Sequence, residues 1–483
     1  MIADLGAITP ELIVAALACF LLFADLFAGP GQKRLLGWVG VAGLLAALYP
    51  SLGLVGQPPH TAFAGTYAID PFAAYLKIVV ILSGILVLLA AMEFFRGPAG
   101  QTRFEGETYS LIVFMVLGLM LMAAAADLIL LFLAIEFVSL VSYILAGSLK
   151  RDRKSNEAGV KYFFYGAAAT AVMLYGFTFM YGAAGTTDIY RMAGRLGALG
   201  PGFLTLTVVL VLVGFGFKIS LVPFHQWTPD VYEGAPTPVT AFLSVGSKAA
   251  GFAALLRVLY VALPPQAWVT TLAVLAALTM TYGNLVALWQ PNIKRMLAYS
   301  TIAHAGYMLI GVVALAASPT SVGSGIGALL YYLLAYTFTN TGAFSVAIVA
   351  ERALGSDAIA DYAGLYRRAP FSAFAMLVFM LSLTGIPPTA LFFGKFLLFG
   401  AAINSGLLWL AVVGIVNSVI SLVYYLGVVR AMYLLPAPDG AGAIPETSLA
   451  RGLLGVTVLG TVVLGVAPQP ILWLVNAAAL GRF

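Results

Sequence analysis

Five ionisable side chains lie inside long apolar stretches of the sequence, where a helix that crosses a bilayer has no need of charge. They are Glu136, Lys218, Lys248, His304 and Lys395. A cation at the centre of a membrane helix costs roughly 2.5 to 3.5 kcal/mol, so such residues normally face protein or water and mark ion or proton pathways. One carboxylate, one imidazole and three amines therefore predict proton or small-cation exchange along a polar path within the membrane.

Glu136 and Lys218 are predicted to form a pair. Glu136 shares a helical face with Ser139 and Tyr143, at i+3 and i+7. Burial and a neighbouring carboxylate act in opposite directions on the proton affinity of an amine. A change in the distance between the two side chains would therefore make Lys218 bind or release a proton. The alternative is that the two residues form a static structural ion pair.

Lys248 and Lys395 have no acidic neighbour in their own apolar stretches. Each is predicted to be a switching amine rather than half of a fixed salt bridge. Snorkelling of the long side chain to the membrane interface is the alternative for both. His304 can accept a proton on one ring nitrogen and donate from the other, which suits a relay between lysines; its alternative is a packing residue hydrogen-bonded to a hydroxyl.

The elements that carry these residues are predicted to be transmembrane helices. The chain has 483 residues, of which 62% are hydrophobic and 9% charged, and its mean hydropathy is +1.01. About a quarter of the residues in soluble domains are charged. The composition therefore predicts an all-α polytopic membrane protein, and the apolar runs amount to about fourteen spans.

Redox and nucleotide chemistry are predicted to occur on other chains. The single cysteine, Cys19, excludes an internal disulfide and a thiolate-ligated iron–sulfur cluster. The sequence has no phosphate-binding loop of the G-x-x-x-x-G-K-[ST] type, which argues against direct use of ATP. The net charge of +5 carries no implication for nucleic acid, because the basic residues fall in short loops.

Two of the spans are predicted to be interrupted. The seventh, at 203–224, has Lys218 five residues before Pro223, and the twelfth, at 371–403, contains Gly385-Ile-Pro-Pro388 in its middle. Proline removes a backbone donor and frees a carbonyl, which lipid cannot satisfy. Paired breaks in corresponding positions indicate an inverted-repeat transporter with its site near the midplane, although prolines are also common in membrane helices.

The two breaks lie five spans apart and define the expected domains. Spans one to three occupy 1–105, a first five-helix repeat (spans four to eight) occupies 106–265, and a second (spans nine to thirteen) occupies 266–433. An odd number of spans per unit inverts the second repeat relative to the first. The fourteenth span lies within 434–483.

The basic residues predict the orientation in the membrane. They concentrate in alternate loops, which the positive-inside rule assigns to the cytoplasm; an even number of spans then leaves both termini on the outer, periplasmic side of a bacterial inner membrane. His225 and Asp230, near the cytoplasmic end of the seventh span, are candidates for a proton entry route, and a solvated hairpin is the alternative. The cytoplasmic set includes Lys33, Arg34, Arg96, Arg103, Lys150, Arg151, Arg153, Lys154, Lys294, Arg295, Arg352, Arg367, Arg368, Arg430 and Arg451.

Three stretches resemble the antiporter-like membrane subunits of proton-pumping NADH:quinone oxidoreductase (respiratory complex I), a family shared with multisubunit sodium/proton antiporters. They read FKISLVPFHQWTPDVYEGAPTPVTAFLSVGSKAAGF, KRMLAYSTIAHAGY and LTGIPPTALFFGKF. By this resemblance, the family's fifth-span glutamate falls on Glu136, its seventh- and eighth-span lysines on Lys218 and Lys248, and its twelfth-span ion on Lys395. The lysine at 395 and the short tail favour the N type of subunit over the M and L types.

The resemblance implies a translocase subunit with no cofactor of its own. NADH, flavin, iron–sulfur clusters and quinone would belong to partner subunits, and the partners would be other membrane-arm subunits and the lipid bilayer. The L and M types carry a histidine in the eleventh span and this sequence has none, so the connection from Lys248 to Lys395 is not predicted. The alternatives are a sodium/proton antiporter subunit without a redox partner and a structural spacer.

Overall fold

The computed structural model describes residues 2–29, 31–96, 104–317 and 322–478. This part of the chain is almost entirely helical, with one antiparallel hairpin in which His60 pairs with Ile69. The elements of the first half are α1 Ile2–Ala7, α2 Thr9–Phe27, α3 Lys33–Leu54, β1 His60–Ala62, β2 Tyr67–Ile69, α4 Pro71–Phe94, α5 Glu105–Ala124, α6 Leu128–Ala146, α7 Arg153–Ala184, α8 Ile189–Met192, α9 Pro201–Ile219, α10 Trp227–Gly234 and α11 Thr237–Leu256.

The second half continues the same architecture. A π-helical turn at Arg257–Ala262 extends α11, and short 3-10 turns lie at Phe63–Gly65, Leu196–Ala198, Pro265–Ala267 and Ile359–Tyr362. The remaining helices are α12 Val269–Ala287, α13 Ile293–Ala317, α14 Val322–Leu354, α15 Leu365–Arg368, α16 Pro370–Thr384, α17 Ala390–Asn404, α18 Leu408–Leu434, α19 Ser448–Val466 and α20 Gln469–Ala477.

The helices have the lengths that membrane crossing requires. Within the described ranges, 13 helices are long and apolar enough to span a bilayer. The shorter pair α16 and α17 together form the twelfth expected span. The prediction of an all-α membrane protein with about fourteen spans is confirmed.

Four helices form the centre of the bundle. The membrane spans of α4, α11, α13 and α14 are buried along all or nearly all of their length, whereas fewer than half of the residues of α2, α3, α7, α12, α18 and α19 are buried. The outer helices present large apolar side chains to their surroundings, among them Phe23, Phe164 and Val419. Polar side chains on the central helices are therefore shielded from lipid, which is where a membrane protein tolerates them.

The seventh span ends earlier than the sequence predicts. Its helix, α9, stops at Ile219 rather than near residue 224, because Ser220 adopts the left-handed conformation (φ 63°). The Leu221 N–H then donates to the Gly216 carbonyl at 2.7 Å, and the Ser220 N–H donates to Phe217 at 3.2 Å. These bonds form a Schellman cap, which ends a helix while satisfying part of its last carbonyls.

The twelfth span is interrupted by the same motif. Helix α16 ends at Thr384, and Gly385 has φ +92°. The Ile386 N–H donates to the Leu381 carbonyl at 3.0 Å, and the Gly385 N–H donates to Ser382 at 2.9 Å. Both helices therefore end inside the bundle with some C-terminal carbonyls still free. The division into inverted repeats and the domain boundaries remain predictions.

Candidate functional site

Two buried lysines converge on the C-terminus of α9. Lys248, on α11, donates from Nζ to the Ile219 carbonyl at 2.8 Å, and Lys218 is the residue directly before Ile219. Both side chains are buried, at 1% and 3% exposure. The last carbonyls of a helix have no partner within it, and the helix dipole places partial negative charge there. The end of α9 is thus a site that stabilises an ammonium group without a carboxylate.

Lys218 does not form the direct ion pair predicted with Glu136. Its Nζ lies 3.4 Å from Oγ of Ser139, which is on α6 one turn beyond Glu136. Glu136 acts on the ammonium electrostatically across a greater distance. Its half-buried side chain has one oxygen, Oε1, with no hydrogen-bond partner among the described residues. The spacing along α6 brings Ser139 rather than Glu136 against Lys218.

Lys395 repeats this arrangement at the end of α16. Its Nζ donates to the carbonyls of Leu383 at 3.0 Å and Thr384 at 2.8 Å, and it lies 4.7 Å from the centroid of the Tyr307 ring. A Cβ on Gly385 would come within 2.9 Å of Lys395 Cδ, so the glycine makes room for the lysine chain. The side chain is buried (4% exposed), which excludes snorkelling to a membrane surface.

His304 lies between Lys248 and Lys395 and is bonded on both ring nitrogens. Nδ1 lies 2.7 Å from the Tyr332 hydroxyl and Nε2 lies 3.2 Å from the Tyr425 hydroxyl. The Tyr425 hydroxyl is also 2.5 Å from Oγ of Ser300. Both lysines act on the imidazole electrostatically. An imidazole with a hydroxyl on each nitrogen has the connections that a proton relay needs.

The eleventh span, α14, carries tyrosine and asparagine side chains that face the neighbouring helices. Asn340, on α14, donates to Oγ of Ser244 at 2.8 Å, one helical turn from Lys248. Tyr332, also on α14, contacts His304, and Tyr307 lies beside Lys395. These are three separate contacts between Lys248 and Lys395, and the route that joins the two lysines remains a prediction. The tyrosines of LLYYLLAYTF were visible, but their partners depend on tertiary packing.

The structure does not bring the two predicted entry residues together. His225 is buried with its ring 4.6 Å from that of Tyr282, and its Nδ1 has no hydrogen-bond partner among the described residues. Asp230 forms ion pairs with Lys161 at 2.6 Å and Arg295 at 2.8 Å. Partial burial raises the pKa of Asp230, but the bonds from these two cations outweigh it and hold the pKa below its usual value.

Two of the buried ion pairs among the described residues involve none of the five axis residues and were not predicted from the sequence. Glu11 pairs with Lys77 at 2.9 Å and accepts a hydrogen bond from Tyr67 at 2.6 Å. Asp70, which caps α4, pairs with Arg257 at 2.9 Å. Glu11 and Lys77 were detectable as charges within apolar runs. Each pair joins helices that are distant in sequence, and each has further hydrogen bonds, from Tyr67 to Glu11 and from Arg257 to Tyr190 and the Ala123 carbonyl.

Comparison with known proteins places this arrangement in a family. Residues 125–421 match the family model described as "NADH:quinone oxidoreductase/Mrp antiporter, TM". The chain belongs to this family. The matched segment contains Glu136, Lys218, Lys248, His304 and Lys395, so the whole candidate axis lies within the NADH:quinone oxidoreductase/Mrp antiporter region.

Individual relatives agree over nearly the full length. The chain is 43% identical over 480 residues to NADH-quinone oxidoreductase subunit N 2 of Chloroherpeton thalassium, covering 96% of this chain and 93% of that protein. A chain of respiratory complex I from Thermus thermophilus is 36% identical, with a TM-score of 0.79 and coverage of 96% and 98%. A chain of the Mrp complex from Dietzia sp. is 21% identical, with a TM-score of 0.85 and coverage of 99% and 97%, and shows the fold alone. The predicted resemblance is confirmed.

Proposed function

We propose that this chain is a proton-translocating membrane-arm subunit of an NADH:quinone oxidoreductase, similar to subunit N. The observation that carries the proposal is the setting of two of the buried lysines. Lys248 and Lys395 are held by backbone carbonyls at the ends of interrupted helices and not by carboxylates. The identity of 43% to a subunit N supports the type of complex.

The carbonyl setting suits an amine that exchanges its proton. A lysine locked to a buried carboxylate stays charged, because losing its proton would leave the carboxylate buried and unpaired. A neutral amine retains N–H groups and continues to donate to a carbonyl. Lys248 and Lys395 can therefore be charged or neutral without leaving an acid unpaired, and a small change in nearby charge is enough to move the equilibrium.

The residues divide into three groups along the path. Glu136 and Lys218 form the gate at one end, where Lys218 also contacts Ser139. Lys248 and His304 form the middle, connected to the far end through Tyr332 and Tyr307. Lys395 is at the outlet side. Quinone reduction in other subunits would alter the electrostatic field at the gate, and the proton affinity of each lysine would respond in turn.

Cofactors and location follow from membership of such a complex. NADH, flavin, iron–sulfur clusters and quinone would be held by partner subunits, and the contacts of this chain would be other membrane-arm subunits and lipid. We place it in the bacterial inner membrane with both termini on the periplasmic side, because the basic loops mark the cytoplasmic face. The shared Schellman caps of α9 and α16 support the two inverted repeats.

A sodium/proton antiporter subunit is the weaker alternative. The family description includes Mrp antiporters, but the Mrp chain is 21% identical whereas the subunit N relative is 43% identical. The two proposed functions differ in the subunits that should copurify with this chain. Copurification with iron–sulfur and quinone-reducing subunits supports the proposal, and copurification with a small antiporter set alone contradicts it.

The test is NADH-driven proton pumping by sealed membrane vesicles at matched content of complex. Lys218→Ala and Glu136→Gln are each expected to lower pumping and the coupled reduction of quinone by roughly tenfold or more, since positioned proton-transfer groups contribute at least about a hundredfold and water replaces part of this. Assembly should be unchanged on native gels. Wild-type pumping in both variants would contradict the proposal.

A further inference from the structure

We propose that protons enter this chain at a pocket beside Glu351 and Asp357 and reach Lys248 along a file of hydroxyl groups on α11. This inference rests on the proposed function and assigns it an uptake site. It differs from the sequence expectation, which placed entry at His225 and Asp230.

The pocket lies at the end of the bundle that carries the basic loops. It has a volume of about 490 Å³, and its lining includes Asp152, Lys154, Asn292, Glu351 and Asp357. By the positive-inside rule this is the cytoplasmic end. Protons taken up by the complex come from that side, so a cavity with carboxylates here is correctly placed to receive them.

Glu351 connects the pocket directly to the helix that carries Lys248. It lies in the last turn of α14 and accepts a hydrogen bond of 2.5 Å from Oγ1 of Thr237, the first residue of α11. Thr240, Ser244 and Lys248 follow at intervals of three, four and four residues, which keeps them on one face of the helix. All four side chains are buried.

Several buried polar atoms on other elements have no hydrogen-bond partner within the described part of the chain, and two of their residues contact the file: Asn340 donates to Ser244, and the Tyr232 carbonyl accepts from Thr240 at 3.1 Å. Tyr232 Oη, Asn340 Oδ1, Thr341 Oγ1 and Tyr362 Oη are buried and have no hydrogen-bond partner among the described residues. Tyr362 interacts electrostatically with Asp357 and Glu351, and Tyr232 does so with Tyr336. Buried polar atoms nearly always have a protein or water partner. A line of water molecules beside α11 would satisfy them and would conduct protons.

The charges at the pocket favour uptake there over uptake at Asp230. Burial raises the pKa of Asp357, although Lys294, at 3.8 Å, opposes this. One oxygen of Asp357, Oδ1, has no hydrogen-bond partner among the described residues. Asp230, in contrast, is held ionised by two cations. A carboxyl that binds a proton readily and still has a free oxygen is the better acceptor.

The first experiment measures proton pumping by vesicles that contain the intact complex with the double substitution Glu351→Gln and Asp357→Asn. We expect the pumping rate to fall by roughly tenfold relative to wild type, since positioned proton-transfer groups contribute at least about a hundredfold and water replaces part of this. Asp439→Asn is the matched control, because Asp439 is an exposed acid in a loop at the same end. It should pump like wild type.

A second variant separates conduction from structure. Tyr232→Phe removes one unpaired hydroxyl and keeps the ring, which packs against Phe344. The complex should assemble normally and pump at a reduced rate, whereas a purely structural role of this region predicts wild-type pumping. Glu351→Asp combined with Asp357→Glu should restore part of the pumping lost in the amide variant.

The outcomes distinguish this inference from the proposed function. If the amide variant and Tyr232→Phe both pump like wild type while Lys218→Ala does not, the uptake site is wrong and the proposed function stands. If Lys218→Ala also pumps normally, the proposed function itself fails. Reduced pumping in all three variants, with Asp439→Asn unaffected, supports both.

Discussion

At the scale of single residues, the molecule treats buried charge in two ways. Lys77 and Arg257 are paired with carboxylates, at 2.9 Å in each case. Lys248 and Lys395 instead donate to backbone carbonyls. Removing one partner of a buried ion pair typically lowers the stability of the fold by about 3–5 kcal/mol. We therefore assign a structural role to Lys77 and Arg257. The second class has no carboxylate partner, and under the proposed function these lysines exchange protons.

His304 provides the test at this scale. We expect His304→Gln to lower NADH-driven pumping by roughly tenfold, because glutamine can keep hydrogen bonds to the neighbouring hydroxyls but does not take up a proton. Tyr332→Phe removes the shorter of the two bonds and should have a smaller effect. The measurement is the initial pumping rate at equal complex content.

The control for this prediction is His60→Gln. His60 is exposed in the β1 hairpin and hydrogen-bonds to the Pro58 carbonyl, away from the axis. It should pump like wild type. Unchanged pumping in His304→Gln would show that the imidazole is a packing residue, the alternative that the sequence left open.

At the scale of elements, the two interrupted helices position the chemistry. Each ends in a Schellman cap, and the carbonyls that the cap leaves free receive a lysine. At Ser220 the left-handed conformation is adopted by a residue with a Cβ, and such a conformation costs of order 1 kcal/mol or more. The hydroxyl of Ser220 accepts a hydrogen bond from Thr228 at 2.9 Å, which helps to hold the turn.

Gly385→Ala tests the role of the second break. We expect a destabilisation of about 1–2 kcal/mol, because φ is +92° and the new methyl group would meet Lys395 Cδ at 2.9 Å. The displaced lysine should also lose its carbonyl contacts, so pumping should fall. The measurements are the thermal midpoint of the purified complex and its pumping rate after reconstitution.

Gly400→Ala is the matched control on α17, since an added Cβ there meets nothing within 4 Å. Alanine is favoured over glycine inside a helix by about 1 kcal/mol, so this variant should be neutral or slightly stabilised. Equal midpoints and equal pumping in the two alanine variants would contradict the role assigned to Gly385.

Most features of the helices could be predicted from the sequence, because the length of an apolar stretch and the presence of Gly and Pro are local features. The spans, the break before Pro387 and the burial of Lys218, Lys248, His304 and Lys395 followed from them, whereas Glu136 is only half-buried. The hydrogen-bond partners of Lys248 and Lys395 could not be predicted. They are backbone carbonyls, which have no sequence signature and are left without a partner in the helix only because of the cap geometry at Ser220 and Gly385. The direct Glu136–Lys218 pair was wrong for a related reason: the rotation of α6 against α9, which the sequence does not contain, decides which side chain meets Lys218.

At the scale of the whole molecule, the buried helices α11 and α13 carry Lys248 and His304, while the other three residues of the polar path lie on the neighbouring helices α6, α9 and α17. Helix α11 connects the proposed uptake pocket to the polar path, because it begins at the pocket and carries Lys248. It is also tied at its other end, where Arg257 pairs with Asp70 and donates to the Ala123 carbonyl at 3.1 Å. A helix fixed at both ends keeps Lys248 aligned with the end of α9.

The measurement that tests the central claim most directly is the number of protons pumped per NADH oxidised by vesicles carrying Lys248→Met. The comparison is Glu11→Gln with Lys77→Met, which neutralises an equally buried ion pair away from the axis. The account predicts that Lys248→Met lowers the ratio, or lowers pumping and NADH oxidation together, while the double control keeps both. Wild-type pumping by Lys248→Met, or the same loss in the control, would contradict the claim that this axis carries protons.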